Sequence, residues 1–373
     1  MKNVCTIKMG QSPVSSSYNE NEEGLPFFQG NADFGKRYPI ARVWCDSPIK
    51  KAYRDDILIS VRAPIGAVNY VNEDCCIGRG LAAITPDRNK VSLEYIYWFL
   101  KGKEQELVNK GTGSTFKAIS RKVLEEIMLP YIGTDEQNGR AEILEKIDRI
   151  IEKKERELSY MDDLIQARFV EMFGDPRNNL FEFPKAMLKN SCRVVTGNTP
   201  SRAVKEYYGD YIEWIKTDNI VFGLLNPTEA AECLSEKGIE VGRTVDRDSI
   251  LMVCIAGSLG SIGRVCVTDR KVAFNQQINA IIPEKYNILF LYVLLQISKG
   301  YLVENVNIAL KGILTKSKLE EKELIVPPIK LQEEFADFVK QVNKSKLALH
   351  SLLTFLTLYE LHILSNNLTF EKF

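Results

Sequence analysis

Pro26-Phe-Phe-Gln-Gly-Asn31-Ala-Asp-Phe-Gly35 is the stretch that decides the fold, because a variant of it returns later in the chain. The echo is Glu213-Trp-Ile-Lys-Thr-Asp-Asn219-Ile-Val-Phe-Gly223, which ends 188 residues further on (223 − 35 = 188). Cys5-x4-Gly10 likewise returns as Cys192-x4-Gly197. A copy of this length indicates duplication of a whole domain rather than a short solenoid repeat. Two unlike copies favour recognition of a target with two parts.

The repeat extends outward into strand-like and helical segments. Asp55-x-Ile57-Leu58 returns as Asp248-x-Ile250-Leu251, and Ile65-Gly66-x-Val68 returns as Ile262-Gly263-x-Val265. Short apolar runs separated by turn residues predict strands. The predicted strands are Ile57–Val61 and Leu81–Ile84 in the first copy, and Ile250–Ile255, Val265–Val267 and Ile278–Ile282 in the second. Amphipathic helices are predicted next, from Leu93 to about Asn109 and from Leu289 to about Glu304.

Each copy then ends in a long helix with an apolar seam. Spacings that alternate between three and four residues are typical of coiled coils. The predicted seams are Leu144, Ile147, Ile151, Lys154, Leu158, Met161, Ile165, Arg168 and Met172 in the first helix, and Phe335, Phe338, Val342, Ser345, Leu349, Leu352, Leu356, Tyr359 and Ile363 in the second. The polar fourth residues, Lys154 and Ser345, either fix the register or occupy tolerated solvated positions.

The connectivity predicts an α+β fold of four parts. We expect two mixed α/β recognition domains at residues 1–132 and 175–328, each followed by a long helix at 133–174 and 329–373. The second domain starts soon after the first helix ends, so paired helices must run antiparallel with a pseudo-twofold axis across them. The domains would then lie at opposite ends of a rod roughly 50 Å long.

Composition sets the class of protein. A length of 373 residues predicts about two domains, and the chain carries 49 acidic and 49 basic residues. This balance is not typical of a protein that binds naked nucleic acid by charge alone. There is no unbroken apolar run of about 18 residues, so we expect no membrane span. The eight cysteines form no C-x-x-C pair, which favours buried thiols over zinc or disulfides and predicts a cytoplasmic location.

The sequence contains no recognisable catalytic or metal-binding motif. There is no phosphate loop and no H-E-x-x-H, and the two histidines, His350 and His362, both come late. Gly257–Gly263 is glycine-rich but does not open a helix, so a turn is favoured over a nucleotide site. Asn226-Pro-Thr228 lacks the aromatic residue of the N-P-P-[FY] motif that amino-methyltransferases use. We predict neither catalytic residues nor a metal site.

Polar loops at equivalent places in the two copies are the candidate binding site. Gln, Asn, Arg and Lys can bridge base edges in the major groove, and Ser, Thr and Lys can hold phosphates. The loops could also be ordinary polar surface with Asx turns. The candidate residues are Gln11, Ser15, Ser16, Tyr18, Gln29, Asn31, Lys36, Arg37 and Arg62 in the first copy, and Asn198, Thr199, Ser201, Arg202, Lys216, Thr217 and Asn219 in the second.

With these features in place, the whole chain resembles the specificity subunit of a type I restriction–modification system. Most of the motifs that carry the resemblance belong to the first copy, and their order counts for more than any one of them. They are Gly10–Pro13, Pro26–Gly30, Asp56–Gly66, Cys76–Gly80, Gly113–Ser120, Leu129–Ile132, Phe169–Asp175 and Val326–Glu334.

The resemblance implies a DNA-binding subunit without catalysis of its own. Each domain would be a target-recognition domain that reads one half of a split double-stranded DNA sequence. The helices would set the spacing and bind two methyltransferase subunits, with restriction subunits as optional further partners. S-adenosylmethionine, ATP and magnesium would be bound by those partners. Partner subunits would also supply phosphate contacts, which accounts for the neutral net charge.

Two other hypotheses remain open at this point. One is a coiled-coil scaffold whose two domains bind proteins, and the other is an enzyme, such as a nuclease, with an unfamiliar site. One departure from the family pattern also stands out. Residues 183–191 predict a first strand before Cys192, whereas only Met1–Val4 precede Cys5. We therefore expect the first domain to lack that strand.

Overall fold

The computed structural model describes residues 1–113, 117–130, 132–258, 260–304 and 312–366. The chain folds into two compact units. The first contains Met1–Glu155 and the segment from Ser351 onward, and the second contains Arg156–His350. The boundary falls inside both long helices. Parts of the segments Gly113–Ser120, Leu129–Ile132 and Gly257–Gly263, and the predicted end of the second long helix, lie outside the described residues.

Two sheets form the α/β domain of the first unit. A four-stranded antiparallel sheet has the order β1-β9-β6-β7, and a five-stranded sheet has the order β2-β4-β3-β8-β5 with β3 and β8 parallel. The strands are β1 Cys5–Met9, β2 Tyr18–Asn19, β3 Leu25–Phe28, β4 Trp44–Cys45, β5 Lys51–Ala52, β6 Ile57–Ser60, β7 Val68–Tyr70, β8 Cys75–Ile77 and β9 Leu81–Pro86.

The second unit repeats the topology of both sheets and adds two short two-stranded sheets. Its sheets have the orders β11-β20-β16-β18 and β12-β14-β13-β19-β15, again with one parallel pair, β13 and β19. The strands are β10 Lys185–Met187, β11 Cys192–Thr196, β12 Tyr208–Gly209, β13 Ile212–Ile215, β14 Cys233–Leu234, β15 Thr244–Val245, β16 Ile250–Val253, β17 Ile255–Ala256, β18 Val265–Val267, β19 Val272–Phe274, β20 Ile278–Pro283, β21 Gly312–Ile313 and β22 Glu323–Ile325.

Backbone details repeat as well. Cys5 lies opposite Pro86 and Cys192 lies opposite Pro283, so both first strands share one register. Asp55 and Asp248 both adopt a positive φ, of 71° and 62°, just before β6 and β16. Asp tolerates this conformation better than most residues with a Cβ. The duplication inferred from sequence is therefore a duplication of structure.

Both predicted amphipathic helices form, and each is divided into a longer first helix and a shorter second helix. Ser92 caps α1 by accepting from the Tyr95 amide, and Asn287 caps α6 by accepting from the Leu289 amide. The helices are α1 Leu93–Gly102, α2 Glu104–Lys110, α3 Arg121–Glu125, α4 Thr134–Phe173, α5 Glu236–Val241, α6 Ile288–Ile297, α7 Lys299–Val303, α8 Lys316–Glu320 and α9 Ile329–Ser365.

A buried glutamine joins each long helix to its domain. Gln137 accepts from the Ser92 amide at 2.9 Å, and Gln332 accepts from the Asn287 amide at 2.9 Å. Each amide nitrogen donates to a backbone carbonyl nearby, Ile132 at 2.8 Å and Pro327 at 2.7 Å. These bonds fix where α4 and α9 begin against the caps of α1 and α6.

The long helices pack against each other in antiparallel fashion within the second unit. Phe169 of α4 packs edge-on against Phe335 of α9, and Asp162 pairs with Lys346 further along. As residue numbers fall along α4 they rise along α9, which is the predicted antiparallel direction. In the first unit, Ile147 of α4 and Ile363 of α9 belong to the same apolar core.

At two positions of α9, the residue that faces the core is the one that follows the predicted seam residue. Lys346 is 5% exposed, whereas Ser345 is exposed, and Leu352 is 41% exposed while its neighbour Leu353 packs on the core. The seam positions predicted at Ser345 and Leu352 are therefore wrong. Of the predicted seam residues, those buried in the structure are Leu144, Ile147, Ile151, Ile165, Phe335, Leu349 and Ile363, and those half-buried are Lys154, Leu158, Met161, Arg168, Met172, Phe338, Val342, Leu356 and Tyr359.

The predicted first strand of the second domain is β10, which pairs with β22. Among the described residues of the first domain, no strand takes its place. The Leu188 amide donates to the Lys322 carbonyl at 2.9 Å, and the Met1 ammonium donates at 2.6 Å to the corresponding carbonyl, that of Ile127. Burial lowers the pKa of the Met1 amine.

Helix α9 is also long and apolar enough to cross a membrane by length and composition. The mean hydropathy of one 18-residue window is 1.4, and 22% of that window is buried. Such a test is weak when one helix passes it, because a core helix of a globular protein passes it as well. Phe335 and Val339 near its start are fully buried in the core of the second unit.

Candidate nucleic-acid interface

An aromatic pair supports the first polar loop in each copy, residues 11–18 and 198–202. The ring centroids of Tyr18 and Phe27 lie 4.7 Å apart, and those of Tyr208 and Trp214 lie 5.9 Å apart. The Tyr18 hydroxyl donates to the Pro13 carbonyl at 2.8 Å, and the Tyr208 hydroxyl donates to the Pro200 carbonyl at 2.7 Å. Tyr18, a predicted contact residue, therefore also anchors its own loop.

In the second domain this aromatic pair carries a charged cluster. The Arg202 guanidinium lies 4.4 Å from the Tyr208 ring centroid, and the Lys216 ammonium lies 5.1 Å from that of Trp214. Glu232 joins the two cations, at 2.7 Å from Arg202 and 2.9 Å from Lys216. Hydrogen bonds from Arg202 and Lys216 hold the pKa of the Glu232 carboxyl below its usual range. The predicted residues Arg202 and Lys216 thus form one preorganised cationic site.

The first domain has the same framework without the charges. The alignment of β3 with β13 and of β4 with β14 places Gln29 at the position of Lys216 and Val43 at that of Glu232. Gln29 is exposed. The two domains therefore present a neutral amide and a cationic cluster at the same place.

The second polar loop in each copy, residues 29–33 and 216–219, is fixed by one side chain. The Asp33 carboxylate accepts from the Gln29 amide at 2.7 Å, and the Asn219 side chain accepts from the Lys216 amide at 2.9 Å. The sequence repeat had aligned Asn31 with Asn219, whereas the structure gives this role to Asp33. Asn219 is buried and holds its turn, and Asn31 and Thr217 each begin a short 3₁₀ turn.

Two predicted basic residues are paired with a long helix. Lys36 lies 3.3 Å from Glu152 and 3.1 Å from Glu155 of α4. Arg37 contacts Glu145 at 2.5 Å and Asp148 at 3.6 Å. These ion pairs hold the loop after Gly35 against α4, and Lys36 and Arg37 could bind phosphates only by leaving the carboxylates.

The other predicted residues divide between framework and surface. Asn198 is bonded on both sides, donating to the Val241 carbonyl at 2.7 Å and accepting from the Arg243 amide at 2.8 Å. The Thr199 hydroxyl donates to the side chain of Gln276. The predicted residues that lie at the exposed surface of the loops are Gln11, Ser15, Ser16, Arg62 and Ser201.

A cleft of about 480 Å³ gathers several of these groups in the first domain. Gln29, Asn31 and Arg62 line it together with Ser12 and Arg79. Sequence reasoning did not single out Ser12 and Arg79 as contact residues, nor Glu232 and Gln276 in the second domain. Arg79 lies inside Cys76–Gly80, one of the motifs that carry the family resemblance, and this was the sequence signal that could have identified it as a candidate.

No group of three or more His, Cys, Asp or Glu side chains suited to a metal occurs in the part of the chain that the structure describes. The arrangement offers hydrogen-bond donors, acceptors and cations on two small curved surfaces. Such groups can recognise the edges and backbone of a nucleic acid.

Comparison with known proteins identifies the family. The model of the type I restriction modification DNA specificity domain matches residues 1–159 and again 185–353. The MjaX specificity subunit of Methanocaldococcus jannaschii is 45% identical over 151 residues, which is 40% of this chain and 36% of that relative, so the match spans about a third of its length. The MjaIX specificity subunit of the same organism is 26% identical over 76% of this chain and 70% of the relative.

Solved structures show the same fold. The S subunit of a type I restriction–modification system from M. genitalium superposes with a TM-score of 0.60 at 14% identity, covering all of this chain and 95% of the other. A chain from a type I R-M assembly superposes with a TM-score of 0.53, also at 14% identity, covering 98% and 96%. With the specificity domain matched twice along its length, the chain belongs to the type I restriction–modification DNA specificity family.

Proposed function

We propose that each domain reads one half of a bipartite double-stranded DNA sequence and that the long helices set the distance between the halves. One observation carries this proposal: a single framework, present twice, displays unlike groups at equivalent positions. Gln29 corresponds to Lys216, and Val43 corresponds to Glu232. Duplicated scaffolds with different reading groups suit two different half-sites, because direct readout depends on the donor and acceptor pattern of each base pair.

The partners in this proposal are two methyltransferase subunits, with restriction subunits as further members. An apolar line on α9 within the first unit supports helix docking: Phe355 is 62% exposed and Leu358 is 61% exposed, with Leu352 and Leu361 beside them. S-adenosylmethionine, ATP and magnesium would be bound by those partners. A cytoplasmic location, where thiols stay reduced, completes the proposal.

Mapping of modified adenines tests the reading role. The full chain is expressed with its methyltransferase, and methylated sites are read by sequencing. We expect a two-part motif. Gln29→Ala and Lys216→Ala form a matched pair, because the two residues occupy equivalent positions, and each is expected to weaken selection in one half only.

Two results would contradict this assignment. Methylation with no two-part motif would exclude bipartite recognition by this chain. Equal effects of Gln29→Ala and Lys216→Ala on both halves would exclude separate readers. If purified complexes fail to shift random-sequence DNA in a gel at low salt, a protein-binding scaffold becomes the better description.

The docking role needs its own test. Phe355→Ser with Leu358→Ser removes two exposed apolar side chains from α9 and should abolish co-purification of the methyltransferase. The helical circular dichroism signal should stay unchanged, since neither side chain is buried. Thr357→Ser, on the same stretch of helix, is the control and should leave assembly intact. Normal assembly of the double variant would exclude this line as the docking surface.

A further inference from the structure

One turn in each domain places a single exposed side chain at the same point of the fold. Arg79 stands in the connection between β8 and β9, and Gln276 stands in the connection between β19 and β20. A neighbouring glycine in each domain shows that the two positions are equivalent, because it packs against the residue that precedes each of them. A Cβ on Gly10 would lie 2.2 Å from the Gly78 carbonyl oxygen, and a Cβ on Gly197 would lie 2.1 Å from the Asn275 carbonyl oxygen. Arg79 and Gln276 each follow that contacted residue.

Both turns are held rigidly, although by different means. In the first domain a Cβ on Gly80 would lie 2.2 Å from the Gln29 carbonyl oxygen, so the turn packs directly on the neighbouring backbone. In the second domain the Asn275 side chain accepts from the Gln277 amide at 3.1 Å and donates to its side chain at 3.2 Å. A reading group needs this kind of support, because loosely held groups lose geometric precision.

In each domain the first polar loop contacts this turn, and it does so through residues at equivalent positions. The Ser12 hydroxyl accepts from the Arg79 amide at 3.3 Å, and the Thr199 hydroxyl donates to the Gln276 side-chain oxygen. Arg79 and Gln276 therefore each lie beside the polar loops that form the candidate interface. In the first domain Arg79 also lines the cleft with Gln29 and Arg62.

The charges around Arg79 leave its guanidinium available. Arg37 and Arg42 of the same domain are ion-paired with Glu145 and Asp33. Across the described residues, Arg79 makes no such ion pair. An exposed arginine on a rigid turn, without a carboxylate, keeps its donors for a ligand.

We propose that Arg79 and Gln276 are base-reading residues, one in each domain, with Arg79 selecting a guanine and Gln276 selecting an adenine. The proposal rests on the proposed reading of a bipartite DNA sequence. Arginine can donate two hydrogen bonds to O6 and N7 of guanine, and glutamine can bond N6 and N7 of adenine. The exchange of Arg for Gln between copies at one position matches a difference of one base between half-sites.

Reciprocal substitutions test the assignment. The full chain carrying Arg79→Gln, or Gln276→Arg, is expressed with its methyltransferase, and methylated adenines are mapped by sequencing. We expect Arg79→Gln to change one position from G·C to A·T in one half-site, and Gln276→Arg to make the opposite change in the other. Selectivity for the original base should fall on the order of 10-fold or more.

Two further variants keep the test decisive. Arg79→Lys retains the charge and loses the two-pronged geometry, so it should relax that single position while leaving the affinity for random-sequence DNA nearly unchanged. Arg54→Gln, an exposed arginine of the same domain, is the control and should leave the motif unchanged. Affinity of the purified chain is measured for matched and mismatched duplexes over a range of salt.

The outcomes separate the two levels of inference. A wild-type chain without any two-part motif would overturn the proposed function and this assignment together. A two-part motif that Arg79→Gln and Gln276→Arg leave unchanged would overturn the assignment alone. Uniform weakening on all sequences, with a shallower salt dependence, would make Arg79 a phosphate contact and also overturn it.

Discussion

Arg270 and Glu213 form a two-pronged ion pair at the edge of the second domain. Both contacts measure 2.7 Å, and the carboxylate also accepts from the Ala230 amide at 2.9 Å. Hydrogen bonds from Arg270 lower the pKa of Glu213. A lowered folded-state pKa stabilises the fold fully above the unfolded value near 4.5, and that stabilisation is lost as pH falls through the folded pKa.

We therefore expect Glu213→Gln to lower the free energy of unfolding by about 1 kcal/mol at pH 7, because the pair stays partly solvated. The difference from the native chain should vanish in acid, below the lowered pKa. Urea unfolding at pH 7 and at a series of lower pH values follows the difference in unfolding free energy. Glu240→Gln, at an exposed position, is the control. A deficit that stays constant as the pH falls from 7 through the acid range in which the native chain remains folded would contradict this account.

The cysteines make a second prediction at this scale. Seven of the eight are buried, and Cys233 is half-buried. Burial raises the pKa of Cys254 and of Cys192 to about 12, so almost no thiolate forms at pH 8. A thiol reagent should react quickly with one group, Cys233, and with the others only after unfolding. Cys233→Ser should abolish the rapid phase, and several rapid phases in the native chain would contradict the burial.

At the scale of elements, a buried lysine joins the two long helices within the second unit. The Lys346 ammonium contacts the Asp162 carboxylate at 2.5 Å and donates to the Gly223 carbonyl at 3.0 Å. Asp162→Asn would leave a buried charge without its counter-ion, which should cost about 3 kcal/mol of unfolding free energy. Thermal and urea unfolding measure the loss.

The double variant Asp162→Leu with Lys346→Met sharpens that test. An apolar pair of similar volume should recover most of the stability, because the desolvation cost of both charges disappears. Lys344→Met, on an exposed lysine of the same helix, is the control. A double variant as unstable as Asp162→Asn would show that the ion pair itself stabilises the helices.

Sequence periodicity could predict that α4 and α9 exist, and that they pack through an apolar face. It could not choose between two frames one residue apart on α9, because apolar residues occur in both. Phe338 of the predicted frame packs on its core, whereas Leu352 of the same frame is exposed, and Val339 and Leu353, which lie outside that frame, pack on the cores. Tertiary packing decides between the two frames. One of the buried positions is Lys346, and a lysine does not contribute to a hydrophobic pattern.

At the scale of the whole molecule, each unit has its own large aromatic core. Phe290 is fully buried and meets Phe169 at 5.7 Å and Phe173 at 4.8 Å in the second unit. Phe99 is buried in the core of the first. Phe290→Ala should cost about 3–5 kcal/mol and lower hydrogen-exchange protection in β16 while sparing β6.

Phe99→Ala is the reciprocal variant and should have the opposite pattern. Protection is measured strand by strand by amide exchange and mass spectrometry. Equal loss of protection in β6 and β16 for either variant would show that the two units unfold as one.

The repeat was readable from the sequence because glycines and strand residues that the framework needs recur in order. Most of the interface was not readable. Glu232 meets Arg202 only because β12, β13 and β14 pair. Gln276 meets Thr199 only because the Asn198 amide donates to the Phe274 carbonyl and so joins the chain after β11 to the end of β19. Such contacts join residues far apart in sequence, and no local pattern records them.

The aromatic pair beneath the cationic cluster has a practical consequence. Of the three tryptophans, all of which the structure describes, Trp214 alone lies under two cations, with Arg202 at 5.3 Å and Lys216 at 5.1 Å from its ring. Indole fluorescence is sensitive to nearby charge, so a ligand that draws these cations away would change the emission of Trp214. Trp98, sealed in the other core, would give a steady background. The chain thus carries an intrinsic optical reporter of occupancy in its second domain, and no dye is needed to follow binding.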